Sequence, residues 1–308
     1  MPLIQAAALN RFFGATHAVK DVSFNVEEGE IYGLVGSDGA GKTTTLRLII
    51  GALRASSGYA LVCGKDPVKE PDAVRSNVGY LSQRFSLYED LSVLENIRFF
   101  AEVRGMAQAE WKPRCMELLE FVGLSAFAAR RAGALSGGMK QKLGLASALV
   151  THPKVLLLDE PTTGVDPVTR QDFWQLILRV VQSEKMAVML TTPYMDEASR
   201  CQRLGFMRSG SLIAEGTPSA LRNTLANRIL EIPTTEPLKL QPVLSKIRGV
   251  EDARPFGDRL HLRIASGQAQ KVMAAIAKTD PALVPHLIPP TLEDIFLALT
   301  SEQKAVQP

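Results

Sequence analysis

Three short stretches of this chain carry the residue types that phosphate chemistry needs. The first, Gly36-Ser37-Asp38-Gly39-Ala40-Gly41-Lys42-Thr43, fits the pattern GxxxxGK[ST]. Glycines let successive backbone N–H groups curl around a phosphate, and the N-terminus of a following helix adds partial positive charge. Lys42 can reach the β- and γ-phosphates of a nucleotide and the Thr43 hydroxyl can ligate Mg²⁺, with Thr44 counted among the nucleotide contacts. The second stretch, Val155 to Pro161, is an apolar run ending in Asp159 and Glu160. Ligands of open α/β sheets gather at the carboxyl ends of strands. Asp159 is therefore placed to hold Mg²⁺, directly or through water, and Glu160 to polarise the water that attacks a γ-phosphate. In the third, Leu135-Ser136-Gly137-Gly138-Met139-Lys140-Gln141, Ser136 can cap a helix while Gly137 and Gly138 expose N–H groups to a second phosphate. Taken singly, these stretches also read as a glycine-rich turn, two surface acids and a helix start. Their order along one chain is what makes them specific.

Such residues need a scaffold, and the apolar pattern supplies one. The runs Ile31 to Val35, Val155 to Leu158 and Ala187 to Leu190 do not alternate, as expected of strands buried on both faces of a parallel sheet. Behind the first glycine loop, Leu46, Ile49, Ile50 and Leu53 form the apolar face of a helix. Val22, Phe24 and Val26 alternate with polar residues, and Leu204 to Ala214 is broken by Ser209-Gly210-Ser211; both read as an antiparallel layer. Between Leu87 and Val150 the spacing turns helical, through Leu118, Leu119, Val122, Leu143, Ala146 and Val150. The expected fold is thus α/β: a P-loop NTPase core sheet, an antiparallel β layer and an inserted helical subdomain over about residues 87–150.

The glycine-rich motifs end near Leu221, and the polar, proline-containing segment Glu231 to Pro237 reads as a boundary. Residues 1–221 are expected to form the nucleotide-binding domain and 222–308 a small C-terminal α+β accessory domain. In the latter, Leu260, Leu262 and Ile264 mark a strand. Thr291 and Asp294 mark the start of a last helix, with Leu292, Ile295, Phe296 and Leu299 on the face expected to be core.

Composition narrows the partners. A formal charge of +3, spread among acids, gives no basic tract for nucleic acid. Cys63, Cys115 and Cys201 are too scattered for a disulfide framework or metal knuckle and read as reduced thiols, which points to the cytoplasm. The start MPLIQAAALN has no basic, then apolar, leader pattern, and later apolar runs are too short to span a bilayer. Membrane attachment is expected only through a partner.

Ser136-Gly137-Gly138, lying after the phosphate loop and just before Asp159-Glu160, resembles the signature sequence of ATP-binding-cassette (ABC) ATPases. The resemblance is close over roughly residues 3 to 220. It implies ATP and Mg²⁺ as ligands and a head-to-tail dimer, homo- or heteromeric, in which Ser136, Gly137 and Gly138 of one protomer close on the ATP held by Lys42 of the other. Gln83 matches the family's glutamine-loop position, which senses Mg²⁺ and the attacking water; without the family it reads as a solvated amide. Asp166, in Thr163-Gly164-Val165-Asp166, matches the loop that crosses the dimer interface. Phe13, before Gly14, matches the aromatic that stacks on adenine, its other reading being a core side chain. Pro289 to Leu297, Thr162 to Pro167 and Phe173-Trp174 resemble ATPase subunits of bacterial drug-exporter-like systems, which favours export. Such a subunit works at the cytoplasmic face of the cell membrane, bound to integral permease subunits. Its coupling segment would be Phe85, Ser86, Leu87, Tyr88 and Glu89.

One position departs from the family pattern. After Thr191-Thr192 the family usually has a histidine that touches the γ-phosphate, and here the residue is Pro193. Proline offers no side-chain donor and no N–H. None of His17, His152, His261 and His286 is its neighbour in sequence. Loss of one charge-assisted hydrogen bond is worth about 1.5–3 kcal/mol of transition-state stabilisation, a slowing of roughly tenfold to a hundredfold. Weak hydrolysis through Glu160, a second ATPase chain with an intact site, and a rearranged loop that tolerates proline all remain open at this point. Two other function classes also remain, a soluble ABC ATPase and a low-turnover regulatory module. The lack of a fused second cassette or coiled-coil insertion weighs against the first, and the retention of Glu160 against the second.

Overall fold

The computed structural model describes residues 1–83 and 86–306, with side chains to residue 301; Phe85 of the expected coupling segment lies outside the described residues. The chain divides into two compact units, Met1–Gly216 and Thr217–Pro308.

The first unit opens with a hairpin of β1 (Ile4–Phe13) and β2 (Thr16–Val26), then β3 (Ile31–Val35) leads into α1 (Lys42–Ile49). β4 (Ser57–Val62), α2 (Pro71–Arg75) and β5 (Val78–Leu81) follow. Three helices come next: α3 (Val93–Val103), α4 (Gln108–Phe121) and α5 (Gly137–Leu149). The unit ends with β6 (Val155–Asp159), α6 (Pro167–Glu184), β7 (Ala187–Thr192), α7 (Met195–Ala198), β8 (Arg203–Arg208) and β9 (Ser211–Gly216).

Five strands of the core sheet run parallel in the order β5-β6-β7-β3-β8, and β9 closes the edge antiparallel to β8. Every residue of β3, β6 and β7 is buried, which explains their unbroken apolar runs. A separate antiparallel sheet, β2-β1-β4, packs its inner face, including Ile4, Leu9, Val22 and Val26, with Leu46 and Ile49 of α1 in one cluster. Burying each such side chain contributes about 1.5–3 kcal/mol. The hairpin expected in the antiparallel layer belongs instead to the core sheet. Its first strand, β8, pairs parallel with β3 from Tyr32↔Arg203 to Val35↔Phe206. The alternation of a strand tells which face is buried, not which neighbour it takes.

Helices α3, α4 and α5 share a second cluster with the core, built on Ile97, Leu118, Leu119, Leu143 and Leu158. A capping box starts α3, where Ser92 and Glu95 satisfy each other's backbone N–H.

The second unit comprises α8 (Pro218–Asn223), β10 (Ile229–Pro233), α9 (Pro237–Leu244), β11 (Val250–Pro255), β12 (Arg259–Ile264), α10 (Ala269–Thr279), β13 (His286–Ile288) and α11 (Leu292–Val306). Its sheet is antiparallel, in the order β11-β12-β10-β13. Glu231 to Pro233, expected to lie in a boundary segment, are therefore strand. Proline is accepted there because β13 pairs only with Ile229 to Glu231, so no ladder donor is required on that side of Pro233. Thr291 and Asp294 form the expected reciprocal cap of α11, and Leu292, Ile295 and Ala298 are buried.

Candidate functional site

Parallel pairing brings four strand ends to one edge of the core sheet. Val35 is level with Thr192, Asp159 with Thr191, and Leu81 with Leu158. The glycine loop, the two acids and the Gln83 loop therefore leave the sheet side by side.

The glycine loop is shaped by contacts that exclude side chains. A Cβ on Gly36 would lie 2.2 Å from the Met207 carbonyl oxygen, and Gly41 has φ +107° with the Ala18 carbonyl oxygen close by. No acidic residue lies in the first turn of α1, so the positive end of its dipole is left for an anion. An open recess lies here, lined by Ala18, residues 38–44, Gln83 and Glu160. The structure thus brings together Asp38, Gly39, Ala40, Gly41, Lys42, Thr43, Thr44, Gln83 and Glu160 as the sequence leads one to expect.

Lys42 is buried and all three of its ammonium protons have acceptors: the carbonyl oxygens of Gly36 (2.9 Å) and Ser37 (3.2 Å) and Glu160 Oε1 (3.0 Å). Glu160 Oε2 accepts from Gln83 Nε2 at 3.0 Å and from Thr163 Oγ1 at 3.4 Å. Its backbone has φ +48°, the left-handed region that costs a residue with a Cβ about 1–2 kcal/mol. Asp159, also buried, receives the hydroxyls of Thr43 (2.9 Å) and Thr191 (2.8 Å) on Oδ1 and the Tyr80 phenol (3.4 Å) on Oδ2. Burial, and then the nearby Asp159 carboxylate, push the Tyr80 phenol up to about 12, so it stays protonated and donates. Thr43 and Asp159 present hard oxygens 2.9 Å apart beside the phosphate loop. That suits Mg²⁺, which takes one or two carboxylates together with substrate phosphates and water.

Ser136 caps α5 by accepting the Met139 N–H at 3.3 Å, and Gly137 has open space where a Cβ would stand. Ser136, Gly137, Gly138 and Asp166 do not line the Lys42 recess. Asp166 caps α6, and hydrogen bonds from Thr169 hold its carboxyl below the usual carboxylate range. Phe13 is 45% exposed, so it is not core. It pairs across the hairpin with Thr16, two residues from the recess residue Ala18, which sets Phe13 and Ala18 on one face. The Arg11 guanidinium lies 4.6 Å from the Phe13 ring centre.

Pro193 begins the loop after β7, and this loop is tied to the one after β6. Glu197 is buried and accepts hydroxyls from Thr192, at 2.6 Å, and from Thr162. Arg170 lies over the Tyr194 ring at 4.7 Å and 3.7 Å from Glu197. Thr191, Tyr80 and Glu197 were not singled out from sequence. The available signal was polar residues inside or beside strands that otherwise read as core.

Comparison with known proteins agrees with this geometry. The family model described as "ABC transporter" matches residues 19–163. The Nod factor export ATP-binding protein I of Paraburkholderia xenovorans strain LB400 is 37% identical over 302 residues, covering 97% of each chain. The chain belongs to the ABC transporter ATP-binding proteins. The daunorubicin resistance ATP-binding protein DrrA2 of Streptomyces coeruleorubidus is 32% identical, covering 97% of this chain and 95% of that one. The probable multidrug ABC transporter ATP-binding protein YbhF of Escherichia coli K12 is 40% identical over 92% of this chain; the match spans only 49% of that longer relative. Among solved structures, cbiO1 of Clostridium perfringens, described as part of an ABC transporter complex, superposes with TM-score 0.67 at 27% identity, over 71% of this chain and 90% of that one. A dimeric ATP-binding cassette in a post-hydrolysis state with ADP and phosphate superposes at TM-score 0.63 and 25% identity, over 70% of this chain and 98% of that one.

Proposed function

We propose that this chain binds and hydrolyses ATP and that closure of its dimer drives a membrane exporter through permease subunits. The observation that carries the reading is the convergence of Lys42, Thr43, Gln83, Asp159 and Glu160 at one recess. Backbone amides of residues 36–44 take the phosphates, and Lys42 exchanges Glu160 for the γ-phosphate. Mg²⁺, when bound beside Thr43 and Asp159, neutralises charge on the phosphate oxygens. Glu160, released from Lys42, accepts a proton from the attacking water, while Gln83 fixes Glu160 Oε2. Phe13 stacks on the adenine.

The signature residues Ser136, Gly137 and Gly138 stand exposed or half-buried at a helix N-terminus away from the recess lining. That supports their acting on the ATP of a second protomer, with Asp166 at the crossing. A groove lined in part by Ser86, Leu87, Phe100, Arg104 and Ala148 lies next to the Gln83 loop. It is the proposed seat of a cytoplasmic permease helix, with Tyr88 and Glu89 beside it. Among the described residues no helix is long and apolar enough to cross a membrane. Attachment at the cytoplasmic face of the cell membrane is therefore assigned to the permease.

The names of the relatives speak of multidrug transport, Nod factor export and daunorubicin resistance, and we assign this chain to efflux of drug-like or other small molecules. Pro193 favours a second reading on one point, that turnover is slow or that a partner chain supplies a more active site. Co-purification with an integral membrane protein, lost on alanine and charge-reversal changes at residues 86–89, tests the exporter reading. Retained association would count against the groove.

A further inference from the structure

The two acids at the end of β6 are held from the neighbouring strand by a residue the function has not yet used. Thr191 is fully buried at the end of β7, level with Asp159. Its hydroxyl donates to Asp159 Oδ1 at 2.8 Å and accepts the Glu160 N–H at 3.0 Å. A hydroxyl has one proton and two lone pairs, so a single Oγ1 can serve both acids at once. Each acid needs this anchor for its own reason. Among the described residues, Asp159 Oδ1 is otherwise held by Thr43, on the opposite element α1. Glu160 sits at φ +48°, a conformation that persists only when its surroundings over-determine it, and its N–H is directed wholly to Thr191, at the carbonyl oxygen (3.2 Å) as well as Oγ1. Valine would fill the same buried strand position with nearly the same shape and without the hydroxyl.

We propose that Thr191 is a positioning residue for ATP hydrolysis, its hydroxyl setting the orientation of Asp159 and Glu160 relative to each other. The inference rests on the reading of Asp159 as metal holder and Glu160 as base. It gives β7 a part in the reaction that does not pass through position 193. Two residues before Pro193, which has no donor to offer, the Thr191 hydroxyl reaches the Asp159 carboxylate and the Glu160 backbone N–H.

The test compares Thr191→Val and Thr191→Ser in the full chain. Thr191→Val lowers kcat at least tenfold with KM within twofold, and Thr191→Ser keeps kcat within threefold of the parent. A second readout does not need turnover: Mg²⁺ is titrated against a bound fluorescent ATP analogue. Removing a partner of a metal-holding carboxylate costs about tenfold or more in metal affinity. Thr191→Val therefore raises the half-saturating Mg²⁺ about tenfold and leaves metal-free nucleotide affinity within twofold. Thermal unfolding confirms that each variant is folded. Parent-like kcat and Mg²⁺ titration in Thr191→Val overturn the proposal, and so does equal impairment in Thr191→Ser. If the parent shows no turnover, the Mg²⁺ titration decides alone. Glu160→Gln separates the two layers. Turnover surviving in that variant removes Glu160 as base, whereas turnover lost there but kept in Thr191→Val removes only the role of Thr191.

Discussion

The ammonium of Lys42 lies 3.0 Å from Glu160 Oε1, and both side chains are buried. The proposed phosphate-binding cation and the proposed base thus neutralise each other within the protein. In the proposed mechanism a γ-phosphate competes with Glu160 for the same ammonium, which makes binding of ATP and release of the base one event. An uncompensated buried charge is far costlier than the pair.

From this pair, Lys42→Met should abolish ATP binding and also destabilise the protein by about 3–5 kcal/mol, because Glu160 is left buried without its cation. The double variant Lys42→Met/Glu160→Gln should recover most of that stability and none of the binding. Denaturant unfolding beside nucleotide titration checks both. Additive losses in the double variant would mean the pair is not coupled.

Pro193→His should raise turnover roughly tenfold to a hundredfold, the reverse of losing one charge-assisted hydrogen bond. ATP affinity should change much less than kcat, since the gain expected is in transition-state stabilisation. Steady-state kinetics of the purified protein give the answer. An unchanged kcat would mean that the loop braced by Glu197, Thr162 and Thr192 already works with proline.

In the second unit, His261 lies 3.2 Å from Asp294 of α11 and 3.4 Å from Glu231 of β10, stacked on Phe256; Glu231 is shared with Arg259. The hydrogen bond to Asp294 raises the His261 pKa despite burial. Burial alone would raise Asp294, but the His261 and Thr291 hydrogen bonds together hold it below the usual range. The raised histidine stabilises the fold fully below its unfolded pKa near 6.5 and loses that contribution as pH climbs through the folded value. The depressed carboxylate does the opposite, losing its contribution only as pH falls through its own low folded value. The imidazole of His261, followed by NMR, should titrate above 6.5, and Asp294→Asn should bring it down. The stability cost of His261→Gln should be larger at pH 6 than at pH 8, and a cost independent of pH would contradict the assignment.

How much of this was legible follows from distance along the chain. The phosphate loop is one run of consecutive residues and the two acids are another, so each could be proposed from local sequence. β3, β6 and β7 are buried on both faces, so their apolar runs were unambiguous. The partner of β8 was not legible, because Val35↔Phe206 pairing joins segments far apart in sequence. The same separation hid the Thr191 hydroxyl, which meets acids 31 and 32 residues before it, and the Glu197 brace to Thr162. Pro233 misled because a proline among polar residues reads as loop until the short reach of β13 is known.

Whether Glu160 makes this chain an ATPase is decided by Mg²⁺-dependent ATP hydrolysis of the purified protein measured beside Glu160→Gln. Turnover should be measurable and should fall at least a hundredfold in the variant, on the order of the loss of a general base, while ATP is still bound. Equal turnover in both proteins, or none in either despite ATP binding, would contradict it.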